Sequence, residues 1–271
     1  MPSDTRVAMA IAAHPDDIEF LMAGTLLLLA RAGWQTHYMT VANGSCGSST
    51  VGPGAIARLR AREARAAAAI LGARFHPSLV DDVAVLYAMP LIRRVAAVVR
   101  AVGPRILLVP SPQDYMEDHT ETCRLAVTAA FVRAMPNFRT TPARRPYAGE
   151  VTLYHAMPHG LCDPLGGMIA PGGFVDTTGV HAAKRQALAA HRSQGGFLAA
   201  TQHMPSHVRV MDEMSREVGR MSGRFRHAEG WRRHLPLGFC APDADPLADA
   251  LGRRYLANAG SQRKADRRGR P

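Results

Sequence analysis

The run Val7-Ala8-Met9-Ala10-Ile11-Ala12-Ala13-His14-Pro15-Asp16-Asp17 decides how this chain folds. Its first seven residues are continuously apolar and bounded by a turn, the pattern of a short strand covered on both faces. His14-Pro15-Asp16-Asp17 is the turn, with Pro15 fixing its own φ. Residues 18–32 then show helical spacing and end at Gly33, a helix-stop residue. Outward from this strand–turn–helix unit the alternation continues. Strands are predicted at 37–42, 75–80, 105–109 and 151–155, and helices at 55–71, 91–102 and 120–135. A Gly- and Ser-rich stretch, 43–54, is long enough for a functional loop. Strands separated by helices of this length make βαβ units. The expected fold is therefore α/β: a Rossmann-like, mostly parallel sheet with helices on both faces. After about residue 180 only helices are predicted, at 180–193 and 206–222, so the C-terminal third is expected to be helical and to cover the sheet edge or the mouth of a site. The expected organisation is one domain over 1–260, followed by a basic, disordered tail over 261–271.

At 271 residues, 47% hydrophobic and 20% charged, the chain has the composition of an ordinary globular protein. No stretch approaches the roughly 18–20 apolar residues of a membrane span. Met1-Pro2-Ser3-Asp4 does not open like a secretory signal, which points to a cytoplasmic protein. Cys46, Cys123, Cys162 and Cys240 are spaced singly, which excludes a zinc ribbon and fits reduced thiols. The net charge is +11, yet only Lys184 and Lys264 of the 33 basic residues are lysines. Such an Arg- and Ala-rich bias is what a GC-rich coding sequence produces. With 6% aromatics and no helix-turn-helix or stacking motif, the charge does not make a nucleic-acid module.

Ligands of open α/β sheets bind beyond the carboxyl ends of the strands. Three such ends carry unusual polar residues: Ala13 to Asp17, Asp114-Tyr115-Met116-Glu117-Asp118-His119, and His155-Ala156-Met157-Pro158-His159-Gly160. Histidines and carboxylates converging on one rim suggest a metal, with three protein ligands and an open position for water. His14 and Asp17 across the Pro turn and His119 from the second loop supply the three ligands, while Asp16 is placed to take a proton from the water. The competing structural reading is that His14–Asp17 is only a turn, with Asp16 or Asp17 capping the next helix and Asp118 capping helix 120–135.

The sequence also resembles a known family. Strand, Ala13-His14-Pro15-Asp16-Asp17 and helix resemble the hallmark of the PIG-L/LmbE-like zinc deacetylases, which remove acetyl groups from N-acetylglucosamine-type amino sugars. Arg60-Ala61-Arg62-Glu63-Ala64 is similar to the family's R-x-x-E-A, and Asp114 to His119 to its D-x-H-P-D-H. Lys184 to Gln194 resembles K-x-x-A-L-x-x-H-x-S-Q, and His227-Ala228-Glu229-Gly230-Trp231 resembles Y-A-E-A-F. The resemblance implies Zn2+, or another divalent ion, on His14, Asp17 and His119, with Asp16 as general base. Family members often assemble, so a homo-oligomer is compatible with it. One departure stands out: the family's second histidine, three residues before the last ligand, is Met116 here, and its proline is Glu117. Methionine cannot donate a hydrogen bond to a developing oxyanion, so His159, with His155 as runner-up, is expected to do so. Asp114 and Tyr115 are candidates for sugar hydroxyls, and Arg60 for a hydroxyl or phosphate. The expected substrate is a small glucosaminyl compound of a bacterial natural-product pathway, such as antibiotic biosynthesis. The alternatives are an amidase acting on a thiol-glycoside conjugate and a non-catalytic sugar-binding relative.

Overall fold

The computed structural model describes residues 6–202 and 206–258; the expected basic tail over 261–271 lies outside them. Strand β1 (Val7–Ala12) is central. It lies in parallel between β2 (Gln35–Thr40) and β4 (Ile106–Val109), with Ala10 opposite both Tyr38 and Leu108. β3 (Arg74–His76) adds beyond β2, and β5 (Thr152–Ala156) adds beyond β4, both parallel. Three further strands, β6 (Gly173–Asp176), β7 (Ala228–Arg233) and β8 (Tyr255–Ala257), continue the sheet from β5 with antiparallel pairing. The order is β3-β2-β1-β4-β5-β7-β6-β8.

The apolar run of β1 feeds two cores, because successive side chains alternate across a strand. Ala8, Ala10 and Ala12 face one side with Leu26, Leu29, Tyr38, Leu108 and Trp231. Met9 and Ile11 face the other with Val95, Val99, Leu107 and Leu125. Helices α1 (Asp17–Leu21), α2 (Ala23–Arg31) and α3 (Pro53–Ile70) lie on the alanine side, where small side chains allow close approach. Helices α4 (Met89–Val102) and α5 (Glu117–Phe131) cover the opposite face. The chain steps outward from β1 through β2 to β3, then returns to β4 on the other side of β1. The C-terminal ends of β1 and β4 therefore frame a topological switch point, where ligands of such sheets bind.

The C-terminal third contains the expected helices as α6 (His181–Ala189) and α8 (His207–Met221), together with α7 (Gln194–Gln202) and α9 (Pro246–Leu251). It also contains β7 and β8, and β6 lies just before it; periodicity predicted none of the three. β7 is Ala-Glu-Gly-Trp-Arg-Arg, and its acid is buried by pairing rather than left at the surface, so no apolar alternation marks it. No helix among the described residues is long and apolar enough to cross a membrane.

The helix predicted over 18–32 is two, broken at Met22, whose φ of −133° is not helical. The break leaves the first amides of α2 without intrahelical partners, and β7 satisfies them. Glu229 accepts from the N–H groups of Gly24 and Thr25 at 2.8 Å each and from the Thr25 hydroxyl at 2.6 Å. The Lys184 ammonium of α6 donates to the same carboxylate at 2.7 Å, and the Trp231 indole donates to the Thr25 hydroxyl at 3.0 Å. Gly24 is required here, since a Cβ would lie 2.4 Å from Thr177 Cγ2. Lys184 and Glu229 are both buried, so Glu229→Ala is expected to destabilise the chain by roughly 3–5 kcal/mol, the cost of an uncompensated buried charge. Urea denaturation would measure this, and a loss below about 1 kcal/mol would contradict the assigned role.

Candidate metal centre

His14 and Asp17 come from the turn between β1 and α1. The Asp17 N–H donates to the His14 carbonyl at 3.2 Å, and the His14 N–H donates to Asp17 Oδ2 at 2.7 Å, closing the turn on itself. Asp16 between them has φ 109°, a left-handed conformation that non-glycine residues adopt at a cost and that clusters at functional sites. Helix α5 starts at Glu117, earlier than predicted, which places Asp118 and His119 in its first turn at the neighbouring strand end. His14 Nδ1 and His119 Nε2 lie 3.6 and 3.5 Å from Asp17 Oδ2. One ligand atom from each of His14, Asp17 and His119 lies within 4.8 Å of the others, the arrangement of a metal-binding trio.

The outer nitrogens of the two imidazoles show that this trio suits a cation. His14 Nε2 is 2.9 Å from Asp118 Oδ2, and His119 Nδ1 is 2.9 Å from Asp114 Oδ1. An ionised carboxylate only accepts, so the proton sits on the outer nitrogen of each ring. A cation beside Asp17 would take the lone pairs of His14 Nδ1 and His119 Nε2, displacing the inner proton that His14 otherwise holds at neutral pH, in the carboxylate–histidine arrangement found around protein-bound metals. Burial disfavours charge on His14, yet its hydrogen bonds to Asp118 and Asp17 outweigh burial and raise its pKa to about 10. Burial likewise opposes ionisation of Asp17, but His119, His14 and His159 hold its carboxyl well below the usual range. Asp118 is lowered against its burial by His14 and by the Val83 N–H, which donates to Oδ2 at 2.8 Å. The pocket is strongly negative, and two imidazoles with a carboxylate suit zinc or another borderline divalent ion.

His159 follows β5. Its Nε2 is buried 3.6 Å from Asp17 Oδ1 and has no hydrogen-bond partner. The ring packs 5.1 Å from Phe20 and 5.3 Å from His119, measured between ring centroids. His155 is elsewhere: its Nδ1 donates to the Pro110 carbonyl at 3.1 Å and its Nε2 accepts from His234 at 2.9 Å.

Arg60, on α3, reaches under the turn and donates through Nη2 to the Pro15 carbonyl and, at 3.1 Å, to Asp16 Oδ2. It is buried, and these bonds orient the turn. Glu63 accepts from the Ser193 amide at 2.9 Å and hydroxyl at 2.6 Å, joining two of the motifs noted above. The 43–54 loop closes over Arg60. At Gly44 (φ +80°) a Cβ would lie 2.4 Å from Arg60 Cδ, which accounts for glycine there.

A cavity of about 470 Å³ opens beside the cluster. His14, Asp16, Asp17, Arg60, Tyr115, His119 and His159 line it. Asp114 requires correction: its Oδ1 is occupied by His119, its Oδ2 accepts from the His159 N–H at 3.3 Å, and the side chain is buried behind the ligands, out of reach of a sugar hydroxyl. Tyr115 stands half-exposed at the rim. Burial and the nearby Asp17, Asp114 and Asp16 raise its phenol, so it remains a hydrogen-bond donor at neutral pH. Asp118, read from the sequence as a cap at most, and the Val83 amide behind it were not anticipated as supports of His14. Adjacency to His119 and its place in the D-x-H-P-D-H-like run were the signals available for Asp118, whereas the Val83 contact crosses 35 positions.

Comparison with known proteins agrees with this geometry. The family described as PIG-L, GlcNAc-PI de-N-acetylase, matches residues 9–131, which include all three trio residues. Diacetylchitobiose deacetylase of Thermococcus kodakarensis is 28% identical over 243 residues, 85% of this chain and 84% of that protein. The N,N'-diacetylchitobiose deacetylase structure from Pyrococcus horikoshii superposes with a TM-score of 0.73 at 22% identity, covering 90% of this chain and 89% of that one. GalB, the 4-carboxy-2-hydroxymuconate hydratase of Pseudomonas putida KT2440, shares the fold at a TM-score of 0.69 and 24% identity, over 85% of this chain and 96% of that one. Residues 9–131 thus match the PIG-L family model, and the chain is similar along most of its length to a diacetylchitobiose deacetylase. Because a hydratase shares the fold, the reaction has to be argued from the site.

Two outcomes are expected of the metal centre. Elemental analysis of untagged protein should find about one divalent ion per chain, abolished by His14→Ala. Asp118→Asn, which weakens the hold on His14 Nε2, should lower metal affinity by roughly 10–100-fold in a competition titration with a chelating dye.

Proposed function

We propose that this protein is a zinc-dependent N-deacetylase acting on an N-acetylated amino sugar of glucosaminyl type. One observation carries the proposal: two imidazoles with fixed tautomers and Asp17 converge on a point flanked by Asp16 and by the unpartnered Nε2 of His159. A binding protein has no need of a base and a spare hydrogen-bond donor at one metal trio, whereas amide hydrolysis needs both. The PIG-L match and the chitobiose deacetylase relative favour an acetylated sugar over other amides.

His14, Asp17 and His119 would hold the ion, which supplies Lewis acidity toward a carbonyl oxygen and toward water. Asp16, oriented by Arg60, takes the proton of the attacking water and passes it to the leaving nitrogen, which departs as a free amine while the acid leaves as acetate. His159 Nε2 donates a hydrogen bond to the carbonyl oxygen as it gains negative charge. It thus covers the role left open by Met116, which lines the cavity without any N–H or O–H to offer. The side chain comes from the segment after β5 rather than from the loop before α5. Tyr115 presents its phenol to a sugar hydroxyl at the rim.

Acetate release from N-acetylglucosaminides by the zinc-loaded chain tests the reading. Asp16→Asn is expected to abolish turnover with the metal retained. His159→Ala should lower kcat by about 10²–10³, the usual loss for an oxyanion donor. Near-normal turnover of His159→Ala would remove that residue from the mechanism. A metal-loaded protein that releases no acetate from any such glycoside would overturn the deacetylase reading.

A further inference from the structure

Asp82 lines the cavity beside the metal trio, yet both of its carboxylate oxygens are engaged by another loop. Oδ1 accepts from the Gly44 N–H at 2.7 Å, and Oδ2 accepts from the Cys46 N–H at 2.9 Å. The contact is reciprocal, because the Asp82 N–H donates to the Ser45 hydroxyl at 3.1 Å. Asn43 adds a fourth bond, donating to Asp81 Oδ1 at 2.6 Å. Asp81 and Asp82 thus clamp the loop after β3 onto the loop after β2. Amide hydrolysis does not itself need this clamp, so its use lies in what it holds.

What it holds is the next residue. Val83 is the third residue of a turn closed by the Ala84 N–H on the Asp81 carbonyl at 3.2 Å, and its φ is 63°. A positive φ at that position of a turn calls for glycine or asparagine. For a β-branched residue it is a strained outlier that the surroundings have to impose. The Val83 side chain is 77% exposed, so packing does not impose it. The clamp on the preceding residue does. In this conformation the Val83 N–H points at Asp118 Oδ2, 2.8 Å away, and the same oxygen lies 2.9 Å from His14 Nε2. Relaxation of Val83 to a negative φ would swing the peptide that carries this N–H and loosen Asp118 behind His14.

We propose that Asp82 is a positioning residue for the metal: it holds Val83 left-handed, Val83 aims its N–H at Asp118, and Asp118 fixes His14 for the ion. The proposal rests on the metal centre of the deacetylase reading and on nothing about the acetylated sugar. The competing role for Asp82 is to order the loop that packs Gly44 against Arg60, and the two roles separate at position 83.

The test measures Zn2+ affinity of the full chain by competition with a chelating dye, with no substrate present. Asp82→Ala is expected to weaken zinc binding by roughly tenfold, the lower end for groups that support a ligand from behind. Glycine adopts a positive φ without strain. Adding Val83→Gly to Asp82→Ala should therefore bring the affinity back to within about threefold of wild type. An Asp82 that only ordered the loop over Arg60 would not be rescued in this way. In an Asp118→Ala background, Asp82→Ala should change zinc affinity by less than about twofold, because the route to His14 is already cut. Wild-type zinc affinity in Asp82→Ala would overturn the proposal. So would a loss that Val83→Gly leaves in place, or one that persists in full beside Asp118→Ala. A wild-type chain that binds no zinc would remove the metal centre and the proposal with it. The expected loss and rescue, without acetate release from any N-acetylglucosaminide, would uphold the proposal and remove the deacetylase reading.

Discussion

Each imidazole of the trio can face a cation only if its outer nitrogen is held by something that accepts a proton and cannot give one. Asp118 does this for His14 and Asp114 for His119, at 2.9 Å in both cases. Much of the architecture follows from that requirement. The two carboxylates and His119 lie on one loop and the first turn of α5, whereas His14 and Asp17 lie on the turn after β1. They meet because β1 and β4 are parallel neighbours, so the loops leaving both emerge on the same edge. An antiparallel pairing of these strands would send the two loops to opposite ends of the sheet.

The supports radiate from this contact. Asp118 is itself held by the Val83 amide of the loop after β3, and Asp16 by Arg60 of α3. Arg60 in turn needs the glycines of the 43–54 loop, because side chains at Gly44 and Gly47 would occupy the space of its guanidinium. Beneath the site, Glu19 of α1 faces His191 after α6 at 3.4 Å, both fully buried. Glu229 joins α2 to Lys184 of α6. Buried charges far apart in sequence thus hold the helices around the turn that carries His14 and Asp17. Breaking one partner strands the other in a low-dielectric interior, so the site and the fold share their constraints.

The family resemblance and the physical reading meet at the same residues, but they differ in what they explain. The PIG-L match over residues 9–131 contains the first three of the motifs, those around His14, Arg60 and His119. At the departure, Met116, which cannot donate a hydrogen bond, lies on the cavity lining, and the His159 imidazole from a different strand end has a buried Nε2 without a hydrogen-bond partner beside Asp17.

The strand and helix alternation through β5 was legible because each element buries an apolar face whose period is local: seven apolar residues before His14, and helical spacing ending at Gly33, Gly72 and Gly103. The trio His14, Asp17 and His119 was legible for a related reason, since polar residues at parallel strand ends have few places to go. Strands β6, β7 and β8 were not, because they are short and β7 buries a paired acid, which leaves no alternation to read. The placement of Asp114 was not legible because its partners, the His119 ring and the N–H groups of Met116 and His159, are fixed by a turn and by the segment after a neighbouring strand. The sequence by itself determined the strand–turn–helix unit and pointed to His14, Asp17 and His119 as a trio able to hold a metal, through local periodicity and motif. Only the tertiary structure decided which carboxylates orient the ligands and which histidine faces Asp17. Those are contacts between elements tens of residues apart, and they depend on the register and order of the sheet rather than on any local run of residues.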